Sequence, residues 1–167
     1  MKKKASTDNT CSGTKKAGRP PAAGVINEMK LTLPSHSVNE GMARAAVGAF
    51  VAQLDPTALE ISDIKCALSE AVTNCIVHAY RERPGDIYIA VKIFDTRKIK
   101  IEIKDKGCGI EDTELAKTPL YTTDRSGERS GMGFAVMESF MDKLSLRSVV
   151  GKYTKVTLTK TLSPVEI

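Results

Sequence analysis

The chain has 167 residues, 41% hydrophobic and 27% charged, which suits one domain with a packed core. No apolar run reaches the roughly 20 residues needed to span a bilayer, and no hydrophobic stretch follows Lys2, Lys3 and Lys4, so neither a membrane span nor a secretory leader is expected and the reading places the chain in the cytoplasm. The net charge of +5 raises nucleic acid as a partner, but residues 1–24 hold five lysines and Arg19 against Asp8 alone, leaving the remainder neutral. The expectation is a flexible basic tail over residues 1–25, with no direct nucleic-acid or membrane partner.

Cys11, Cys66, Cys75 and Cys108 lack metal-ligand spacing and have two histidines to join them, so a zinc site is not expected. Cys66 and Cys75 read as small core residues, and Cys108 as an exposed thiol in a glycine loop.

Patterned sequence begins near residue 26. Met29, Leu31 and Leu33 alternate with polar residues as in a strand that ends at Pro34. Ser37 and Glu40 have the spacing of a capping box and open a helix with Met42, Ala46, Ala49 and Phe50 on its buried side. That helix stops at Asp55-Pro56. Thr57 and Glu60 repeat the box and open a second helix to about Ala79, whose apolar face comprises Ile64, Ala67, Leu68, Ala71, Val72 and Cys75. After the Pro84-Gly85 turn, Ile87, Ile89, Val91 and Ile93 alternate with other residues, and Ile99, Ile101 and Ile103 do so again beyond a turn at residues 95–97, which predicts a hairpin. Residues 111–130 read as a long loop, and loops of that length tend to be functional. A third helix is expected over 131–141, then strands near 143–150 and 154–160 that meet at Gly151-Lys152. The order describes an α+β protein, a two-layer sandwich in which a mixed, mostly antiparallel sheet is covered by helices on one face.

Three motifs carry chemistry. Glu70, Asn74 and His78 are spaced by four and line one edge of the second helix, at the margin of its apolar face. There a carboxylate and an amide oxygen suit a general base beside a Mg²⁺ ligand; an exposed polar stripe is the alternative reading. Asp105-Lys106-Gly107-Cys108-Gly109-Ile110 leaves a strand with two glycines that allow close backbone approach. Ser130-Gly131-Met132-Gly133-Phe134 opens a helix whose amides are suited to phosphate.

Taken in order, these motifs resemble the ATPase fold shared by gyrase, Hsp90-type chaperones, MutL and histidine kinases, the Bergerat-type ATP-binding fold. Phe50-Val51-Ala52-Gln53-Leu54-Asp55-Pro56-Thr57, Ser69-Glu70-Ala71-Val72-Thr73-Asn74, Pro119-Leu120-Tyr121-Thr122-Thr123 and Glu128-Arg129-Ser130-Gly131-Met132-Gly133-Phe134 are similar to the sporulation anti-sigma F factors. The resemblance covers residues 26–162 and leaves 163–167 as a C-terminal tail. It implies a homodimeric protein-serine kinase that binds ATP and Mg²⁺, inhibits a sporulation sigma factor (sigma F), and phosphorylates an anti-anti-sigma protein. Position by position, it makes Glu70 the base and Asn74 the Mg²⁺ ligand, with His78 also at the nucleotide. Asp105 would accept from the adenine amino group, with Thr154 nearby and Gly107 and Gly109 letting the loop approach. Gly131 and Gly133 would hold phosphates, Arg129 the γ-phosphate, and Thr122 and Ser130 would belong to the lid around them. Arg44 matches an arginine that contacts both protein partners.

Tyr153, Lys155 and Ala79 depart from the family pattern, which expects glycine, threonine and glycine there. A nucleotide-gated sigma-sequestering module with little kinase turnover, and the related stress-response anti-sigma kinases, remain open as alternatives.

Overall fold

The elements run β1 (Val25–Pro34), α1 (Val38–Val51), α2 (Ala58–Asn74), β2 (Asp86–Phe94), β3 (Lys98–Asp105), α3 (Thr113–Lys117), α4 (Gly133–Phe140), β4 (Lys143–Val149) and β5 (Tyr153–Thr161). They are taken from a computed structural model that describes residues 24–80, 83–118 and 131–164. Strict alternation fixes the centre. Ile89 pairs with Ile103, Val91 with Ile101 and Ile93 with Ile99 across β2 and β3, all of them buried. A slip of one residue would turn the whole set to solvent, and each of these side chains contributes about 1.5–3 kcal/mol by burial. β1 adds to β2, β5 to β3 and β4 to β5, giving the order β1-β2-β3-β5-β4, antiparallel throughout.

The helices cover one face of this sheet, so the expected two-layer α+β sandwich is present. The apolar face of α2 lies where its periodicity put it: Ile64, Ala67, Leu68, Ala71, Val72 and Cys75 are all buried. Its start also agrees, because Thr57 Oγ1 accepts from Glu60 N while Glu60 Oε2 accepts from Thr57 N at 2.8 Å. Beyond Asn74 the helix widens into a π-type turn, Cys75–Ala79, a distortion that often marks functional sites.

Four local expectations need correction. The buried stripe of α1 is Ala43, Val47, Gly48 and Val51, whereas Met42 is 54% exposed and Ala49 is exposed. Small residues win because α1 packs closely on α2: a Cβ at Gly48 would lie 2.4 Å from Lys65 Cε. Ser37 does not cap α1, since its own backbone is already helical, and Glu40 instead accepts from the Ser69 hydroxyl and pairs with Arg44. Cys66 is exposed on the outer side of α2. Within the 111–130 segment, Asp112 accepts from the amides of Glu114 and Leu115 and caps the short helix α3; residues 119–130 lie outside the described residues.

Glu60 also ties the end of the chain to the start of α2. Its Oε1 accepts from Ser163 N at 2.7 Å, Arg97 Nε donates to Ser163 O at 2.8 Å, and Leu162 is buried beside them. Hydrogen bonding therefore extends from Gly24, whose carbonyl accepts from Asp95 N, through Ser163. The basic tail expected over residues 1–25 falls almost wholly outside the described residues. Burial pushes the Glu60 carboxyl up, but the Ser163 and Thr57 donors outweigh it and hold it at about 2, against 4.5 ordinarily. A depressed carboxyl contributes stability that is complete above its unfolded pKa and lost as pH falls through the folded one. The melting temperature is accordingly expected to fall between pH 4.5 and about 2, and Glu60→Gln should flatten that acid limb. At neutral pH the same variant should be less stable by about 1–2 kcal/mol, the usual cost of a lost cap. Denaturation scans across pH check both.

Candidate functional site

Glu70 and Asn74 occupy the last turns of α2, half-buried at the edge of its apolar face. Opposite them is the first turn of α4. A Cβ at Gly133 would sit 2.9 Å from Glu70 Oε2 and 3.7 Å from both Oδ1 and Nδ2 of Asn74. A glycine is what lets the α4 backbone come this close to a carboxylate and an amide. The first backbone bond of α4 runs from Val136 N to Met132 O, so the amides before it carry no partner within the helix and give this end its positive dipole. Gly131, just before, takes φ +65.

Asp105 ends β3 and is 3% exposed. Its Oδ1 accepts from Gly107 N at 2.9 Å and Thr154 N at 3.3 Å, because β3 and β5 pair Asp105 with Thr154. Among the described residues, the hydrogen-bond partner of its Oδ2 is the Cys75 thiol, at 3.6 Å. Burial raises the Asp105 carboxyl above its ordinary range, and the two amides oppose that rise. Burial, reinforced by the Asp105 charge, pushes the Cys75 thiol well above its usual value, keeping it a protonated donor.

The glycine loop is docked against the π-type turn. Cys108 N donates to Ala79 O at 3.0 Å, the Cys108 thiol donates to His78 O at 3.1 Å, and Cys108 O accepts from Gly151 N at 2.7 Å. Gly109 takes φ +74, a conformation that favours glycine, with the backbone of Val149 and Val150 against it. Glu70, Asn74 and Gly133 thus form one group, and Asp105, Gly107, Gly109 and Thr154 another. The turn carrying His78 and Ala79 joins them.

Thr122, Arg129 and Ser130 lie outside the described residues. Arg44 is on the exposed side of α1, its guanidinium 3.4 Å from Glu40. Two departures from the family pattern fall on the far side of the sheet: Tyr153 and Lys155 alternate with Thr154, and they meet Lys104 and Glu102 on the open face. Ala79 contributes its carbonyl to the loop. Three participants escaped the motifs: Cys75, Tyr80 and Ser148. Tyr80 Oη donates to Asp86 O at 2.6 Å and accepts from Lys106 N at 2.8 Å, while Ser148 Oγ accepts from Ile110 N at 2.8 Å and bonds to Thr154. Cys75 was legible only as one more apolar position, and Ser148 carried no signal on a short strand.

The chemistry of the donor set fits an adenine nucleotide. A buried carboxylate with a lone-pair side open at Oδ2 accepts from an amino group, and α4 presents amides suited to phosphate. Asn74 offers one oxygen for Mg²⁺, an ion that takes one or two protein ligands and completes its shell with phosphates and water. Among the described residues no cluster of three or more His, Cys, Asp or Glu is placed to hold a metal by itself. Likewise, no described helix is long and apolar enough to cross a membrane.

The histidine kinase-like ATPase domain is the class that this sheet, loop and helix end define, and the family model of that description matches residues 33–160. The Caldanaerobacter subterraneus subsp. tengcongensis anti-sigma F factor is 56% identical over 134 residues, covering 80% of this chain and 93% of that protein. The Clostridium novyi anti-sigma F factor is 50% identical, covering 84% and 98%. The chain belongs to the anti-sigma F factor family. Its fold also matches one third of a solved structure that holds the RsbU and RsbW domains of a Mycobacterium tuberculosis protein, with a TM-score of 0.61 at 20% identity, over 83% of this chain and 33% of that one.

Proposed function

We propose that the protein is a cytoplasmic anti-sigma factor of the sporulation pathway, binding and inhibiting sigma F and using ATP with Mg²⁺ to phosphorylate a serine of its anti-anti-sigma antagonist. The single observation that carries this reading is the approach of Glu70 and Asn74 to the amide end of α4 at Gly133. On this reading Glu70 is the base, Asn74 the metal ligand and the amide end of α4 the phosphate cradle. The relatives' name supports the sigma-factor partner.

ATP would supply the phosphoryl group, and Mg²⁺ held by Asn74 would offset charge on its phosphates. Asp105 accepts from the adenine amino group through Oδ2, with Thr154 beside it. Gly107 and Gly109 carry the loop past the base without side chains in the way, and His78 lines the same turn. The amides at Gly131 and Gly133 hold phosphate oxygens, and Asn74 holds the metal. Glu70 takes the proton of the attacking serine hydroxyl as its oxygen bonds to phosphorus and the bond to the bridging oxygen breaks. Thr122, Arg129 and Ser130 are assigned on sequence: Arg129 meets the γ-phosphate, and the other two line the lid. Arg44 is assigned to both protein partners, in a homodimer. The ATP-binding and anti-sigma activities are assigned to residues 26–162.

Nucleotide choice tests the reading. Asp105 presents only acceptors, so ATP should bind far more tightly than GTP, which carries an oxygen where adenine has its amino group. Asp105→Asn should weaken ATP binding about ten- to a hundredfold, the loss of a charge-assisted hydrogen bond of about 1.5–3 kcal/mol. Calorimetry reads both quantities, and equal ATP and GTP affinity for the wild-type protein removes the assignment.

A further inference from the structure

The neutrality of the chain beyond its tail conceals a separation of charge. Along β1–β5, residues alternate between the helix-covered side and the open side, and register sets which open-side residues lie abreast. Lys104, Lys155 and Arg147 form one row across β3, β5 and β4. In a second row Lys92 faces Lys100 across β2 and β3, and Lys143 stands opposite Thr159 on β4. Lys30 and Lys98 lie on the same face, making eight cations on the strands, against which Glu28, Glu102 and, at the start of β2, Asp86 stand among the described residues. Glu40, Glu60, Asp63 and Glu70 belong to the helix layer.

Like charges directly opposite one another destabilise a sheet. The two glutamates relieve this in part: Glu28 is 3.4 Å from Lys30 and 3.5 Å from Lys92, and Glu102 is 2.7 Å from Lys100 and 3.8 Å from Lys155. Arg147 and Lys143 are exposed at the β4 edge. Aromatic rings lie between the cations, with Lys104 Nζ 4.8 Å from the Tyr153 ring centre and Lys106 Nζ 4.7 Å from that of Tyr88.

We infer that the open face of the sheet binds single-stranded nucleic acid. Same-side residues repeat about every 6.8 Å along a strand, an array that suits a regularly charged chain better than scattered carboxylates. A phosphate that draws Lys104 or Lys106 aside uncovers a tyrosine ring on which a base stacks, the combination used by sequence-tolerant single-strand binders. Residues 1–24 carry a net +5, so neither they nor the same face of a second copy complements this face in charge. Both would instead add to the attraction for a polyanion. Tyr153 and Lys155, the two departures from the family pattern, are both part of this face.

The experiment uses the full chain and a fluorescein-labelled oligo(dT) of about 20 nucleotides, with anisotropy followed against salt. Four or five phosphate contacts give a slope of log K on log salt of about −3. Lys104→Glu combined with Lys155→Glu and Arg147→Glu should weaken binding about a hundredfold and make the slope shallower by about 2, while melting temperature and ATP affinity stay near wild type. Should that triple variant fail to fold, Lys92→Glu with Lys100→Glu reads the second row, with about a tenfold loss expected. Tyr88→Ala should weaken oligo(dT) binding without changing the salt slope. Affinity unchanged in both charge variants assigns binding to the tail and overturns the inference. So does equal or tighter binding of a duplex of the same length, of polyglutamate, or of phosphatidylglycerol vesicles in place of the oligonucleotide.

Discussion

Glu70→Gln should lower phosphoryl transfer to the antagonist serine by about 10²–10⁴, the usual contribution of a positioned general base, while ATP and sigma-factor affinities stay near wild type. The substitution keeps the side chain's length and its place 2.9 Å from where a Gly133 Cβ would be, so packing between α2 and α4 changes little. What it removes is basicity. A loss confined to kcat, with KM for ATP unchanged, is the signature of an interaction made only in the transition state. Single-turnover transfer from labelled ATP, alongside equilibrium binding of the sigma factor, separates the two roles. Transfer at the wild-type rate would place the base elsewhere and leave Glu70 as a structural neighbour of α4. Loss of sigma binding in the same variant would mean that the partner surface reaches into the nucleotide cleft.

Much of this arrangement was legible from the sequence for a physical reason. Period-two alternation of isoleucine and valine admits one register, so the β2–β3 hairpin could be read with its faces. The Thr57–Glu60 box announced the start of α2, and the spacing of Glu70 and Asn74 put them on one side of it. The motif order then implied a fold that alternation alone does not specify. Where reading failed, the deciding interactions were between elements distant in the chain. On α1 the heavier side chains suggested a face through Met42 and Ala49, but close approach to α2 selected Ala43, Val47 and Gly48. Glu40 looked like half of a capping box, yet it answers to Ser69, 29 residues away. The distribution of charge is likewise set between distant elements. Summed along the chain, charge vanishes beyond the tail, while the pairing of Lys104, Lys155 and Arg147 across three strands is a property of the sheet.

Gly107→Ala should cost about 2–4 kcal/mol of stability and most of the ATP affinity, although it adds a single methyl group. That methyl would lie 2.2 Å from Ala79 O, 2.5 Å from Ala79 C and 2.6 Å from Ala79 Cβ. Neither side can give cheaply, since the methyl would meet the backbone of the π-type turn and the Cβ fixed to it. Moving the loop outward would stretch the Cys108 N to Ala79 O bond, now 3.0 Å, and would draw the Gly107 amide away from Asp105 Oδ1, now 2.9 Å. Overpacking of this kind costs about 1–3 kcal/mol, and a lost backbone hydrogen bond adds about 1. For a chain of this size each kcal/mol moves Tm by about 2–4 °C, so a fall of roughly 5–15 °C is expected. The nucleotide effect follows from Asp105. Its carboxylate is buried at an energetic disadvantage that the Gly107 and Thr154 amides offset, and with one amide withdrawn it protonates more readily and turns away from its aim at the base. Gly151→Ala is the comparison: that residue takes φ +70, but a Cβ there meets nothing within 4 Å, so it pays only the backbone strain of about 1–2 kcal/mol and should retain ATP binding. Calorimetric melting of both variants with and without ATP distinguishes them. If Gly107→Ala melted no lower than Gly151→Ala and still gained the wild-type stabilisation from ATP, the loop would not be seated on the end of α2, and Asp105 would owe its position to the strand alone.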